Sequence, residues 1–144
     1  METQNYAKHR QTVGAFHFFL LPVLLLTFGG SITNLVLSWG DHTRIYSASL
    51  LCVLSFCMML LALLARMFAL KAQDRAIRAE ENLRHYVLTG KLLDARLTVR
   101  QVIGLRFAAD EEFVALAQRA AAEGLSEDDI KKSVKSWRPD TYRV

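Results

Sequence analysis

The sequence predicts an all-α protein: a transmembrane helical hairpin whose second span extends into the cytoplasm, followed by three short helices. Three observations predict it. From Gln11 to Gly40, and again from Ile45 to Ala65, there is no Asp, Glu, Lys or Arg, and each run exceeds the roughly 20 apolar residues that span a bilayer core. Only Asp41, His42, Thr43 and Arg44 separate the two runs. The remainder is highly charged: residues 66–144 hold 15 of the 18 Lys/Arg and 12 of the 14 Asp/Glu. The division that follows is a cytoplasmic N-terminal tail (1–12), a two-span hairpin (13–68) and a cytoplasmic helical region (69–144).

A four-residue linker forces the spans antiparallel, because the backbone between them must reach water. Trp39 and Tyr46 flank the turn, at the interfacial level amphipathic rings prefer. Pro22 falls early in the first span, where a kink is expected. Lys8 and Arg10 precede the first span, and Arg66, Lys71, Arg75 and Arg78 follow the second. The turn has only Arg44, offset by Asp41. The positive-inside rule then puts both termini in the cytoplasm and the turn outside. A cleaved signal peptide ending at Gly29-Gly30-Ser31 fits less well, since the apolar run continues to Trp39.

Both spans carry a 3, 4 rhythm. In the first it runs His17, Leu20, Leu24, Thr27, Ser31, Asn34, Ser38; in the second Ala48, Cys52, Ser55, Met59, Ala62, Arg66. Small and weakly polar residues let membrane helices approach closely and bond across the gap. The expected packing seam is Thr27, Gly30, Ser31, Asn34, Ala48, Cys52, Ser55 and Ala62, facing the other span or a second copy. A hairpin centred at the turn puts His17 level with Arg66, and Ser31 level with Cys52. His17 and Arg66 are a possible functional pair for a lipid phosphate, although interfacial snorkelling explains Arg66 more simply. Cys52 and Cys57 lie about 140° apart on one helix and are read as packing residues.

From Arg66 to Leu88 there is no Gly or Pro, so the second span is expected to continue as one helix, ending at Thr89-Gly90. Asp74–Arg78 and Glu80–Arg84 are expected i, i+4 pairs. Ala69, Ala72, Ala76, Ala79, Leu83 and Tyr86 keep the 3, 4 rhythm and suggest a helical partner, either a second copy or the chain's own C-terminal helices. Arg66, Lys71, Arg75 and Arg78 form a basic collar suited to anionic headgroups, so membrane lipids are expected partners.

The last three helices are read from their caps. Thr98 and Gln101 form a capping box for a helix to about Ala108. Asp110 is expected to cap a helix that stops at Gly124, with Glu111 and Glu112 at its positive end. Ser126 opens a helix bearing Ile130, Val134 and Trp137, with Lys131, Lys132 and Lys135 in its last turns and Pro139 as its stop.

Chemistry-bearing motifs are lacking. There is no phosphate loop, HExxH or metal-spaced Cys/His cluster. Glu81 and His85 are expected as a surface ion pair, since a third metal ligand is missing. No catalytic residue, metal or cofactor is therefore expected, and the acids at the start of the last helix argue against nucleic acid.

The stretches Asn5-Tyr6-Ala7-Lys8-His9, Phe16-His17-Phe18, Gln73-Asp74-Arg75-Ala76-Ile77-Arg78, 105–112 (LRFAADEE), Asp129-Ile130-Lys131-Lys132 and Trp137 to Val144 resemble a family of short bacterial two-span proteins, a domain of unknown function. The resemblance covers nearly the whole chain and implies architecture without activity. The matching positions are His17, Gln73, Asp74, Arg75, Arg106, Phe107, Asp110, Trp137 and Arg143. The expected role is a small membrane accessory or scaffold protein, not an enzyme, that self-associates or joins a larger membrane complex. The alternatives are a transporter or channel component lined by Thr27, Ser31, Asn34 and Ser38, and a headgroup-region enzyme using His17 or His85.

Overall fold

The structure is a computed structural model that describes residues 5, 6 and 12–140. Five α-helices occur among the described residues: α1 (Leu21–Leu37), α2 (Ile45–Thr89), α3 (Val99–Leu105), α4 (Asp110–Glu123) and α5 (Glu127–Ser133). An isolated antiparallel bridge joins Ala108 and Trp137, and no β-strand is present among these residues. The chain forms two compact units. One is 12–69; the other takes in 70–140 together with Asn5 and Tyr6. The long helix α2 contributes to both.

In the first unit, Pro22 sits in the first turn of α1. Proline has no N–H to donate and its ring crowds the carbonyl four residues back. The preceding residues, Ala15–Leu20, form a wider π-helical turn, in which the Leu21 N–H reaches the Phe16 carbonyl. The turn between α1 and α2 is tied by Asp41. Its Oδ1 accepts the Thr43 N–H at 2.9 Å and the Thr43 hydroxyl at 2.6 Å, and these bonds hold the Asp41 carboxyl below its usual range. Gly40 supplies the positive φ of 92° that reverses the chain.

In the second unit, α2 ends at Thr89, and Gly90 takes a φ of 72°. The chain then folds back along α2. The His85 Nδ1–H donates to the Lys91 carbonyl at 2.7 Å, and the Leu93 N–H donates to Asn82 Oδ1 at 2.9 Å. Thr98 and Gln101 make the full capping box on α3. Gly124, at φ 65°, closes α4, and Ser126 caps α5 by accepting the Asp129 N–H.

The core is Leu97, Val102, Leu105, Phe113, Leu116, Ala117, Ala120, Ile130 and Val134. Gln101 is buried and donates to the Leu125 carbonyl at 2.9 Å, fixing α3 to the α4–α5 connection. Burial of such side chains contributes roughly 1.5–3 kcal/mol each.

Three sequence expectations are corrected here. Asp110 begins α4, but the N-cap is Ala109, without a side-chain bond; Asp110 is drawn to Arg84 instead. The last helix ends at Ser133, so Val134 is its C-cap and Trp137 lies beyond it. Trp137 leaves the helix to bridge Ala108, and the Arg138 N–H donates to the Phe107 carbonyl at 2.8 Å. Lys135 likewise lies outside the helix, where its N–H and that of Ser136 donate to the Glu112 carboxylate.

Candidate functional site

The seam between α1 and α2 is built around two hydroxyls. Ser31 and Ser55 are buried and lie 2.9 Å apart, Oγ to Oγ. Each is also within bonding distance of a backbone carbonyl on its own helix, Phe28 for Ser31 and Cys52 for Ser55. Phe28 and Phe56 pack beside them with ring centroids 5.8 Å apart. Ser31 thus meets Ser55, one turn from the predicted Cys52. On α2, Ala48 and Ser55 are buried and Cys52 and Ala62 half-buried; Cys57 is exposed, which corrects its reading as a packing residue.

On α1 the predicted line is divided between the side that meets α2 and the outward side. The less exposed residues are Leu21, Leu24, Phe28, Ser31, Leu35 and Ser38. Thr27, Gly30 and Asn34 lie on the exposed side. The Thr27 hydroxyl bonds its own helix at the Val23 carbonyl, and a Cβ at Gly30 would meet nothing within 4 Å. Phe28 meets Phe56 across the hairpin, and such van der Waals packing, rather than release of water, is what joins helices in lipid.

His17 and Arg66 both reach the ring of Phe16. The Arg66 guanidinium is 5.6 Å from its centroid and the His17 ring meets it edge-on at 5.2 Å. His17 Nδ1 donates to the Val13 carbonyl at 3.0 Å, which sets the tautomer. Phe16 had no signal in the sequence as the residue joining them. Of the basic collar, Arg66 is half-buried, while Lys71, Arg75 and Arg78 are exposed.

Arg84 organises the second unit. Its Nε donates to Asp110 Oδ1 at 2.7 Å, Nη1 to Glu81 Oε2 at 3.0 Å and Nη2 to the Ala108 carbonyl at 2.7 Å. The guanidinium lies 4.2 Å from the Phe113 ring centroid. The fixed fork of the guanidinium is what lets one side chain serve three acceptors.

The expected Glu80–Arg84 pair is therefore corrected to Glu81–Arg84, and Asp74–Arg78 makes no ion pair. Glu81 and His85 are also corrected. They are buried, at 5% and 9% exposure, and each has its own partners. Glu81 pairs with Arg84 and Arg138; His85 donates to Lys91 and packs edge-on against Phe113. Among the described residues no His/Cys/Asp/Glu group is arranged to hold a metal.

The motif positions Arg106, Phe107, Asp110 and Trp137 gather in this unit. Phe107 is fully buried, with the Trp137 ring at 5.0 Å and the Arg106 guanidinium at 4.7 Å. Arg106 Nε lies 3.3 Å from Asp140. Gln73, Asp74 and Arg75 lie on α2, and Arg143 falls outside the described residues. Tyr6 donates to Asp128 at 2.5 Å. Lys132 first, and Tyr6 second, hold the Asp128 carboxyl low, and Asp128 in turn raises the Tyr6 hydroxyl.

The α2 face that packs in this unit is Ile77, Glu81, Arg84 and His85. The alanine stripe lies elsewhere. Ala72, Ala76, Ala79, Leu83 and Tyr86 are all exposed, so the chain's own C-terminal helices are not its partner.

These features define a class: an all-helical protein with two helices long and apolar enough to cross a membrane, joined to a charged helical unit with its own core. The chain belongs to a family of unknown function, DUF6526, whose model matches residues 1–144. No curated protein and no solved structure matches it.

Proposed function

We propose that this chain is a small membrane-anchored scaffold: a two-span hairpin in a bacterial inner membrane that holds a helical module at the cytoplasmic face, self-associating or joining a larger complex. One observation carries the reading. The most apolar window of the first long helix is 0% buried within the protein, and that of α2 is 11% buried. A core helix of a water-soluble protein would bury most of that surface, at about 25 cal/mol per Å² gained. Here Phe18, Phe19, Leu25, Leu26, Leu51, Val53, Leu54 and Leu61 face outward together, and lipid or another membrane protein is the environment that accepts them.

The basic collar supports the same orientation. Lys71, Arg75 and Arg78 are exposed, and none has an ion-pair partner among the described residues. Contact with anionic lipid contributes about 1 kcal/mol per basic residue near the surface. A transporter or channel component draws less support, because the polar line of α1 is divided. Ser31 and Ser38 turn inward, whereas Thr27 and Asn34 turn outward.

Two measurements test the proposal. Single cysteines at His42 (H42C) and Ser136 (S136C), in a chain with Cys52 and Cys57 replaced, are probed with a membrane-impermeant thiol reagent on intact cells. Labelling at 42 alone is expected; labelling at both or only at 136 overturns the topology. Native mass measurement in mild detergent is expected to give a multimer or a co-purified partner. A bare monomer overturns the scaffold role.

A further inference from the structure

The part of α2 beyond the apolar span has two unlike sides. Ile77, Glu81, Arg84 and His85 are covered by the chain's own helices. The opposite side presents Ala72, Ala76, Ala79, Leu83 and Tyr86, all exposed. Leu83 is 63%, Tyr86 53% and the adjoining Val87 75% exposed. Large apolar side chains so open to water mark an interaction face.

The spacing of this face is 4, 3, 4, 3, which is the a/d seam of a coiled coil rather than a wider globular face. With Ala76 and Leu83 as a, and Ala72, Ala79 and Tyr86 as d, the g position is Arg75 and the next e position is Glu80. Both are exposed, and neither makes an ion pair among the described residues. They cannot pair with each other, since five residues of helix set them about 140° apart on either flank of the seam. Across a parallel pair of identical helices, however, g meets the e position five residues later on the partner. Arg75 of each copy would meet Glu80 of the other. An antiparallel pair would set g against g and e against e, and so would offer no contact between Arg75 of one copy and Glu80 of the other.

We infer that this face binds a second copy of the chain in a parallel coiled coil from Ala72 to Tyr86, clamped by two reciprocal Arg75–Glu80 ion pairs. The inference rests on the self-association proposed above and names its surface. Alanines at three of the five seam positions let the helix axes come close, toward the lower end of the usual 8–10 Å. The a/d side points away from each copy's own helical unit, so both units are accommodated. Lys71 and Arg78 share the c position, off the seam, and stay available to anionic headgroups while Arg75 is engaged by the partner.

The test uses the full chain in membrane vesicles with Cys52→Ala and Cys57→Ala. Oxidation of Ala79→Cys is expected to give a covalent dimer, and Arg78→Cys, exposed but off the seam, is expected to give little. Adding Arg75→Glu or Glu80→Arg to Ala79→Cys should lower the dimer yield about threefold, because two exposed pairs become repulsive. The double exchange should restore it. The same charge series in the chain with native cysteines, read as dimer fraction by native mass, gives the answer if the cysteine variants fold poorly. Equal cross-linking at 78 and 79, or no rescue by the double exchange, overturns the inference. No Ala79→Cys dimer in a protein that is dimeric by mass also overturns it and leaves the scaffold reading standing; a monomer by mass removes both.

Discussion

The Arg84 guanidinium lies 4.2 Å from the Phe113 ring centroid and donates to three acceptors on two sides of the helical unit. This one side chain joins α2, the α3–α4 connection and the start of α4. The Arg84 side chain is 11% exposed and that of Glu81 6%, so the pair sits largely out of water.

Removing Arg84 leaves Glu81 buried with only the longer 3.6 Å contact to Arg138. Breaking a buried pair from one side typically costs about 3–5 kcal/mol. Arg84→Met is therefore expected to lower hydrogen-exchange protection across 99–137 by at least a hundredfold. Arg84→Lys keeps charge but loses the fork, and should fall between. Unchanged protection in Arg84→Met would show that Arg84 does not hold the unit together.

Gly104 is where α3 meets α5. A Cβ there would lie 3.1 Å from the Glu127 carbonyl oxygen and 3.1 Å from Ile130 Cγ2. Alanine gains about 1 kcal/mol of helix propensity over glycine, but overpacking costs about 1–3 kcal/mol. Gly104→Ala is expected to destabilise by up to about 2 kcal/mol, and Gly104→Val by more, in denaturant titrations monitored by circular dichroism. A more stable Gly104→Ala would mean that α5 gives way readily.

Ser31 and Ser55 supply the one side-chain hydrogen bond seen across the hairpin among the described residues. Such bonds between membrane helices average about 0.6 kcal/mol. Ser31→Ala should weaken the α1–α2 pairing by about that amount, and Ser31→Leu by more through bulk, as read by SDS titration in mixed micelles. Thr27→Ala, at an outward position, should have a smaller effect on the isolated hairpin.

Asp94 gives the pH prediction. Its carboxylate accepts from the Arg96 side chain and backbone, which lowers it from 3.8 to about 2. A depressed carboxylate contributes stability above its unfolded value and loses it as pH falls through the folded one. The contribution should therefore fade between about pH 3.8 and about pH 2. It is screened by solvent and small. Carboxyl NMR of Asp94 should report the low value, and Arg96→Ala should return it toward 3.8.

Apart from the start cap of α4 and the stop of α5 at Ser133, the sequence by itself determined the helices, the ends marked by a capping side chain or a glycine, and the two apolar spans. These are local properties. Chain charge, the Thr98–Gln101 box, the Ser126 cap and Gly90 and Gly124 act within a few residues, so they are legible without a fold. The tertiary structure decided which residues meet. Glu81 and His85 read as a surface pair because their spacing is compatible with one. Their burial depends on a chain return at Lys91 to Leu93 and on helices α3 and α4 packing back, contacts that no spacing rule encodes. Asp110 read as a cap and became a partner of Arg84 for the same reason. In the hairpin, 3, 4 spacing found Ser31, Ser38, Ala48 and Ser55 on the side that meets the other span, while Thr27, Gly30 and Asn34 lie on the outward side, open to a second copy. A helical stripe has a width, and the Phe28–Phe56 packing and the Ser31–Ser55 bond, contacts that no spacing rule specifies, decide which part of it meets the other span.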